Sequence, residues 1–243
     1  MIIYLHGFRS APASIKAQAL KARMVERGLA ERFWCEQLPV SPRAAIALAE
    51  AEIGRARAAG LTPTVVGSSL GGYYATWLAE RHDLQAVLVN PAVVAPLELG
   101  AYVGMQDNMY TGERFEFTRG HIDELRALEV PVITRPERYW LLVETGDEVL
   151  DYRHAVEKYA GARQTVLEGG DHGFSRWGDY LDAVIAYAGL GDTPFAGLGG
   201  TTRAGLGDTP CAGNATGAQA GASARTSASP GNSGPTAADD ARP

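Results

Sequence analysis

A serine sits between two glycines in Gly67-Ser68-Ser69-Leu70-Gly71, which fits the pattern G-x-S-x-G. The pattern has chemical meaning where a strand runs straight into a helix, because so tight a turn pushes the serine hydroxyl out above the sheet. Both flanks are expected here, a strand over 64–66 and a helix over 71–81. Side chains at 67 and 71 would collide with neighbouring backbone, and the helix N-terminus would favour negative charge developing beside Ser69. The chemistry this suits is attack of Ser69 on an acyl carbonyl. A serine hydroxyl is a weak nucleophile without a base. Among the five histidines, His172 is placed for that role, in Gly169-Gly170-Asp171-His172-Gly173-Phe174 after the last strand. His82 falls at a helix end and reads as structural, while His121 and His154 read as surface residues at helix starts. A carboxylate should orient the base, and Asp147 follows the fifth strand directly in Thr145-Gly146-Asp147-Glu148-Val149-Leu150-Asp151. Glu148 is its competitor, and Asp151 suits a helix cap instead. The oxyanion needs two backbone donors, expected from Leu70, the residue after the serine, and from Phe8 at the end of the first strand. His6 reads as a turn residue that fixes that loop by hydrogen bonding.

These residues need a scaffold that brings 8, 69, 147 and 172 together. Strands are expected over 2–6, 33–38, 64–66, 84–89, 139–144 and 164–167, and helices over 14–27, 44–59, 71–81, 121–128, 151–159 and 179–188. The strands are short continuous apolar runs rather than alternating ones, which is the requirement of parallel strands covered by helices on both faces. A three-layer α/β/α sandwich follows, with a mostly parallel sheet of six to seven strands. The pattern breaks over 91–136, a short cap-like excursion across the sheet. Met105, Met109, Tyr110, Phe115 and Phe117 are its candidates for an acyl pocket, or else they pack the excursion onto the sheet.

Composition narrows the alternatives. A formal net charge of -6 over 243 residues gives no electrostatic reason to expect a nucleic-acid partner. No stretch approaches the length of an apolar membrane span. Two cysteines make neither a disulfide framework nor a zinc site. The opening MIIYLHG lacks the basic segment of a signal peptide, and the expectation is a cytoplasmic protein. No H-E-x-x-H and no phosphate-cradling G-x-x-x-x-G-K-[ST] occurs, so neither metal nor cofactor is expected. Composition shifts near Gly189: from Leu190 to Pro243, 39 of 54 residues are Gly, Ala, Pro, Ser or Thr. That segment reads as a low-complexity, disordered tail beyond a domain over 1–189. It carries one internal echo, GLGDTPFAG from 189 and GLGDTPCAG from 205, too short a repeat for a solenoid.

Residues 1–189 resemble the α/β-hydrolases, and among them the YqiA-like esterases. The matching pieces are IIYLHGFRSAP at 2–12, GSSLGGYYA at 67–75, NPAV at 90–93, YTGE at 110–113, TGDEVLDY at 145–152 and GGDHGF at 169–174. The tail departs from that pattern. The resemblance implies a serine esterase with Ser69 as nucleophile, Asp147 as acid and His172 as base, and a sheet lacking the first antiparallel strands of larger hydrolases. The expected activity is cleavage of carboxylic esters of small to medium acyl groups through an acyl-enzyme. An acyl-thioesterase of the same mechanism, or a non-catalytic binding protein on the same scaffold, are the alternatives.

Overall fold

Successive side chains of a strand point to opposite faces, so a strand that is apolar throughout needs a cover on both sides. The computed structural model describes residues 1–191 and the backbone of 202–203, and supplies both covers. The strands are β1 (Ile2–Leu5), β2 (Phe33–Trp34), β3 (Thr64–Ser68), β4 (Gln85–Val89), β5 (Gly104–Asp107), β6 (Arg114–Phe117), β7 (Tyr139–Glu144), β8 (Arg163–Leu167) and β9 (Thr202–Arg203). The α-helices are α1 (Ile15–Glu26), α2 (Pro42–Ala58), α3 (Leu70–His82), α4 (Ala95–Glu98), α5 (Arg119–Ala127), α6 (Tyr152–Lys158) and α7 (Trp177–Tyr187). Seven strands form one sheet in the order β2-β1-β3-β4-β7-β8-β9, and every described pairing in it is parallel.

The two faces separate residue by residue. Ile2 and Tyr4 of β1, Val87 and Val89 of β4, and Trp140 and Leu142 of β7 pack with Leu20 and Met24 of α1 and Leu181, Val184 and Ile185 of α7. Ile3, Leu5, Leu88, Leu141 and Val143 face the other way, onto α2, α3, α5 and α6. Each fully buried aliphatic side chain is worth roughly 1.5–3 kcal/mol of removed apolar surface, so both helical layers are held chiefly by this sheet. The strand order reverses between β1 and β3, since the chain leaves β1 for β2 on one side and β3 for β4 on the other. Such a switch point opens a crevice at the carboxyl ends of the two strands. His6–Phe8 and Ser69 sit at those ends.

Two expectations needed adjustment. The strand expected over 33–38 is only two residues long, because the chain then turns away and the Leu38 amide donates to His6 Nε2 at 3.1 Å instead of to a ladder partner. The excursion contains an antiparallel hairpin, β5 with β6, which no apolar run announced. It has alternating exposure and a turn in which Asn108 Oδ1 accepts from the Tyr110 and Thr111 amides at 2.9 and 3.1 Å. Thr202 and Arg203, inside the Gly/Ala-rich segment, pair in parallel with Thr165 and Val166 of β8. Of the expected tail over 190–243, only Leu190 and Gly191 are otherwise among the described residues.

The β3–α3 turn leaves no space for side chains where the motif has glycines. A Cβ at Gly71 would lie 1.9 Å from the Leu5 carbonyl oxygen, and one at Gly67 would lie 2.2 Å from the Gly71 oxygen. Both neighbours are backbone and cannot rotate away. Gly71→Ala is therefore expected to lose more than about 3 kcal/mol, at the severe end for one substitution. Urea unfolding followed by circular dichroism measures this, and a loss under about 1 kcal/mol would show that β1 and α3 can move apart.

Candidate active site

Ser69 has φ 54° and ψ −122°, a left-handed conformation that a non-glycine residue adopts only when its surroundings enforce it. The enforcement is visible in its backbone hydrogen bonds. Its N–H donates to Val89 O at 3.1 Å, and its carbonyl accepts from Gly72 at 2.9 Å and Ala92 at 3.0 Å. Leu70 begins α3, so its amide has no acceptor within the helix. A side chain at Gly7 would begin 3.2 Å from Ser69 Cβ, so the Gly7–Phe8 peptide borders the hydroxyl.

Ser69, Asp147 and His172 converge from three loops. His172 Nε2 is 3.1 Å from Ser69 Oγ, and His172 Nδ1 is 2.8 and 3.0 Å from the two Asp147 oxygens. The Asp147 side chain is only 2% exposed, and its Oδ1 also accepts the Val149 and Leu150 amides at 2.9 and 2.8 Å. The neighbouring carboxylates are engaged elsewhere. Glu148 Oε2 accepts the His172 amide at 3.0 Å rather than a ring nitrogen. Asp151 caps α6 through the Arg153 amide, and its hydrogen bonds from the Arg153 side chain and then that amide depress its carboxyl to about 2. His6 is buried, accepts the Leu38 amide at Nε2 and lies with Nδ1 3.0 Å from Gly7 O. Burial lowers its pKa, the Gly7 contact opposing, so it serves as the neutral fastener of the loop. His82 bonds Glu50 at the end of α3, and His121 completes a capping box at the start of α5.

A cleft of about 520 Å³ opens beside Ser69 and His172, lined by Met109, Tyr110, Ile15 and Lys16 among others. Lys16 donates to Gly173 O at 2.8 Å, and burial lowers its ammonium to about 8 against the opposing pull of Asp171, Asp147 and Glu144. A second cleft of about 260 Å³ lies across the His6–Gly7–Phe8 segment and is lined by Phe8, Leu70, Leu38 and Phe115. Of the five apolar candidates from the excursion, Met109 and Tyr110 therefore line the cleft beside the serine and Phe115 lines its neighbour. Phe117 does neither: it is 1% exposed and packs edge-on against Phe8 at 4.9 Å between ring centres. Met105 alternates with the inward positions of β5 and points to solvent. Phe8 itself makes edge contacts with Tyr102, Phe115 and Phe117, so its ring fastens the excursion onto the His6–Phe8 loop.

Two residues at the site went unread in the sequence. Glu144 ends the apolar strand β7 with its side chain 0% exposed. It accepts the amides of Asp171 and Ser175, both at 2.9 Å, and that of Arg176 at 3.2 Å, together with the Ser175 hydroxyl and the Arg176 guanidinium. Asn90 Oδ1 accepts the Glu144 amide at 3.0 Å, and its Nδ2 donates to the carbonyls of Asp171 and His172. The available signal was a charge closing an otherwise apolar strand, since a buried carboxylate demands partners.

Helices on both faces of a parallel sheet, with a strained serine after β3, an acid after β7 and a histidine after β8, define an α/β-hydrolase fold. The family is narrower. Residues 1–189 match the model of UPF0227, described as an uncharacterised protein family, and the chain belongs to it. Solved structures agree on the fold. The mouse alpha/beta hydrolase domain-containing protein 10 is 17% identical, with 76% of this chain and 88% of that one covered at a TM-score of 0.57. Est1E from Butyrivibrio proteoclasticus is 14% identical, with 78% and 85% covered at 0.55. The Paleococcus ferrophilus monoacylglycerol lipase is 17% identical, with 77% and 93% covered at 0.53. Among the described residues no helix is long and apolar enough to cross a membrane.

The Glu144 carboxyl has a pH consequence. Burial raises its pKa, but the hydrogen bonds from Asp171, Ser175 and Arg176 outweigh burial and hold it below the ordinary 4.5. A depressed carboxyl contributes stability that is fully present above the unfolded pKa and is lost as pH falls through the folded one. Glu144→Gln is therefore expected to destabilise by about 2–4 kcal/mol at neutral pH, with part of the loss coming from donors left unpaired. The gap to wild type should narrow below about pH 4.5. Denaturant titrations from pH 7 to 3 measure it; a gap that widens on acidification would contradict the sign.

Proposed function

We propose that this protein is a serine hydrolase of carboxylic esters with small to medium acyl groups. The observation that carries the reading is the hydrogen-bonded line from Ser69 Oγ through the His172 ring to Asp147, starting at a strained turn. In this mechanism Ser69 Oγ attacks the acyl carbonyl carbon while His172 Nε2 takes its proton. Asp147 holds Nδ1–H toward itself, which fixes the tautomer and stabilises the imidazolium. The tetrahedral oxyanion lies against the Leu70 amide at the N-terminus of α3 and the Phe8 amide after β1, each donor worth about 3 kcal/mol. His172 then returns the proton to the departing alcohol. Water attacks the acyl-enzyme by the same route and releases the acid.

The cleft of about 520 Å³ matches a small-molecule ligand, with Met109, Tyr110 and Ile15 as its apolar side. Thioesters react by the same steps, and a panel of matched esters and thioesters decides between them. No step uses a cofactor or metal. The low cysteine content, with Cys35 in no disulfide among the described residues, supports a reducing, cytoplasmic setting.

Ser69→Ala is expected to lose about 10⁶ in turnover and all labelling by a fluorophosphonate. Ser68, buried beneath it beside the Tyr4 hydroxyl, is the contrast, and Ser68→Ala should still be labelled. A wild-type protein that neither labels nor hydrolyses any ester or thioester would favour a binding role for the scaffold.

Asp147→Asn should lower kcat about 10⁴-fold by presenting the wrong hydrogen-bonding group to Nδ1. Asp151→Asn should change little beyond the helix cap. Steady-state kinetics of both variants test the assignment, and the reverse order of effects would move the acid to Asp151.

A further inference from the structure

The turn that carries His172 contains Gly169, Gly170 and Gly173, and by composition it is the least constrained part of the site. A general base must nevertheless be held within a fraction of an ångström, because a displacement of about 1 Å costs roughly 10²-fold in rate. The constraint comes from the end of β7. The Glu144 carboxylate gathers three amides of the 171–176 turn, and Asn90 takes two of its carbonyls. The fit is close: a Cβ at Gly170 would lie 1.9 Å from Glu144 Oε2, so the chain passes directly over the carboxylate. The Glu144 carbonyl also accepts the Asp147 amide at 3.3 Å. One residue thus sets the position of the acid through its backbone and of the base through its side chain.

We propose that Glu144, with Asn90, is a positioning residue for acyl transfer: a second buried carboxylate that keeps the His172 turn in register with Asp147 and Ser69. The proposal rests on the serine-hydrolase reading above. The Glu144 carboxylate bonds neither the Ser69 hydroxyl nor the His172 ring and acts only through the turn.

A purely stabilising carboxylate would predict lost stability without lost rate, and Glu80 supplies that comparison. It accepts from the Thr134 amide and hydroxyl and from the Tyr139 hydroxyl, away from the triad loops. Glu144→Gln, Asn90→Ala and Glu80→Gln are compared at a temperature where circular dichroism finds each folded. Glu144→Gln is expected to lower kcat about 10- to 100-fold with KM within about twofold. It should also weaken the low-field proton resonance of the His172–Asp147 hydrogen bond. Asn90→Ala should move both readouts in the same direction, and it carries the test if Glu144→Gln does not fold. Glu80→Gln should lose stability yet keep wild-type kcat and the resonance. Wild-type kcat and an intact resonance in folded Glu144→Gln, or in Asn90→Ala if that variant alone folds, would overturn the proposal. An equal fall in kcat for Glu80→Gln would overturn it as well. Hydrolysis that survives Ser69→Ala would sink the serine-hydrolase reading instead, and the resonance, which needs no substrate, distinguishes the two failures.

Discussion

Ser69 is held at positive φ, a conformation that costs on the order of 1–3 kcal/mol in a residue with a side chain. Much of the molecule is arranged around keeping it there. The serine amide is fixed to β4 and its carbonyl to the first turn of α3 and to Ala92. That arrangement requires α3 to begin one residue after the serine and to press Gly71 against the backbone of β1. The contact between β1 and α3 in turn places the His6–Phe8 loop beside the hydroxyl. The strain, the close helix and the position of the His6–Phe8 loop are one constraint seen from three sides.

The end of β7 shows how environment divides labour between carboxylates only three residues apart. Asp147 and Glu144 both have almost fully buried side chains, so each needs donors. Asp147 finds two amides of its own loop and one imidazole nitrogen. Glu144 finds the amides, hydroxyl and guanidinium of the turn that carries that imidazole. Lys16 reaches the same turn from α1 and binds the next carbonyl, that of Gly173. A glycine-rich loop is thereby tied down by hydrogen bonds from side chains contributed by α1, β7 and the segment after β4.

The excursion between β4 and β7 is attached to the opposite side of the crevice. Phe8 extends its ring into a cluster with Tyr102, Phe115 and Phe117, while Arg9 O accepts the Met109 amide at 2.8 Å. Anchoring consumes the deeply buried aromatic residue of the hairpin and leaves its turn, Met109 and Tyr110, over the cleft. The excursion is therefore fixed through Phe8 to the same loop whose backbone at Gly7 runs beside Ser69.

Much was already written in the sequence. Continuous apolar strands demand cover on both faces, which dictated the three layers; glycines on either side of Ser69, between a strand and a helix, dictated the strained turn. Chain order selected His172 and Asp147, because loops that follow parallel strands all open at one end of the sheet. Tertiary structure alone decided the rest. Glu144 and Asn90 meet the His172 turn only because β4, β7 and β8 are neighbours, and their residue types gave no periodic signal. Phe117 and Phe115 are equally aromatic and two residues apart, yet one lies in the core and the other lines a cleft. A hairpin with one half-buried face carries too little apolar pattern to announce itself, and its register against Phe8 exists only after the sheet has formed.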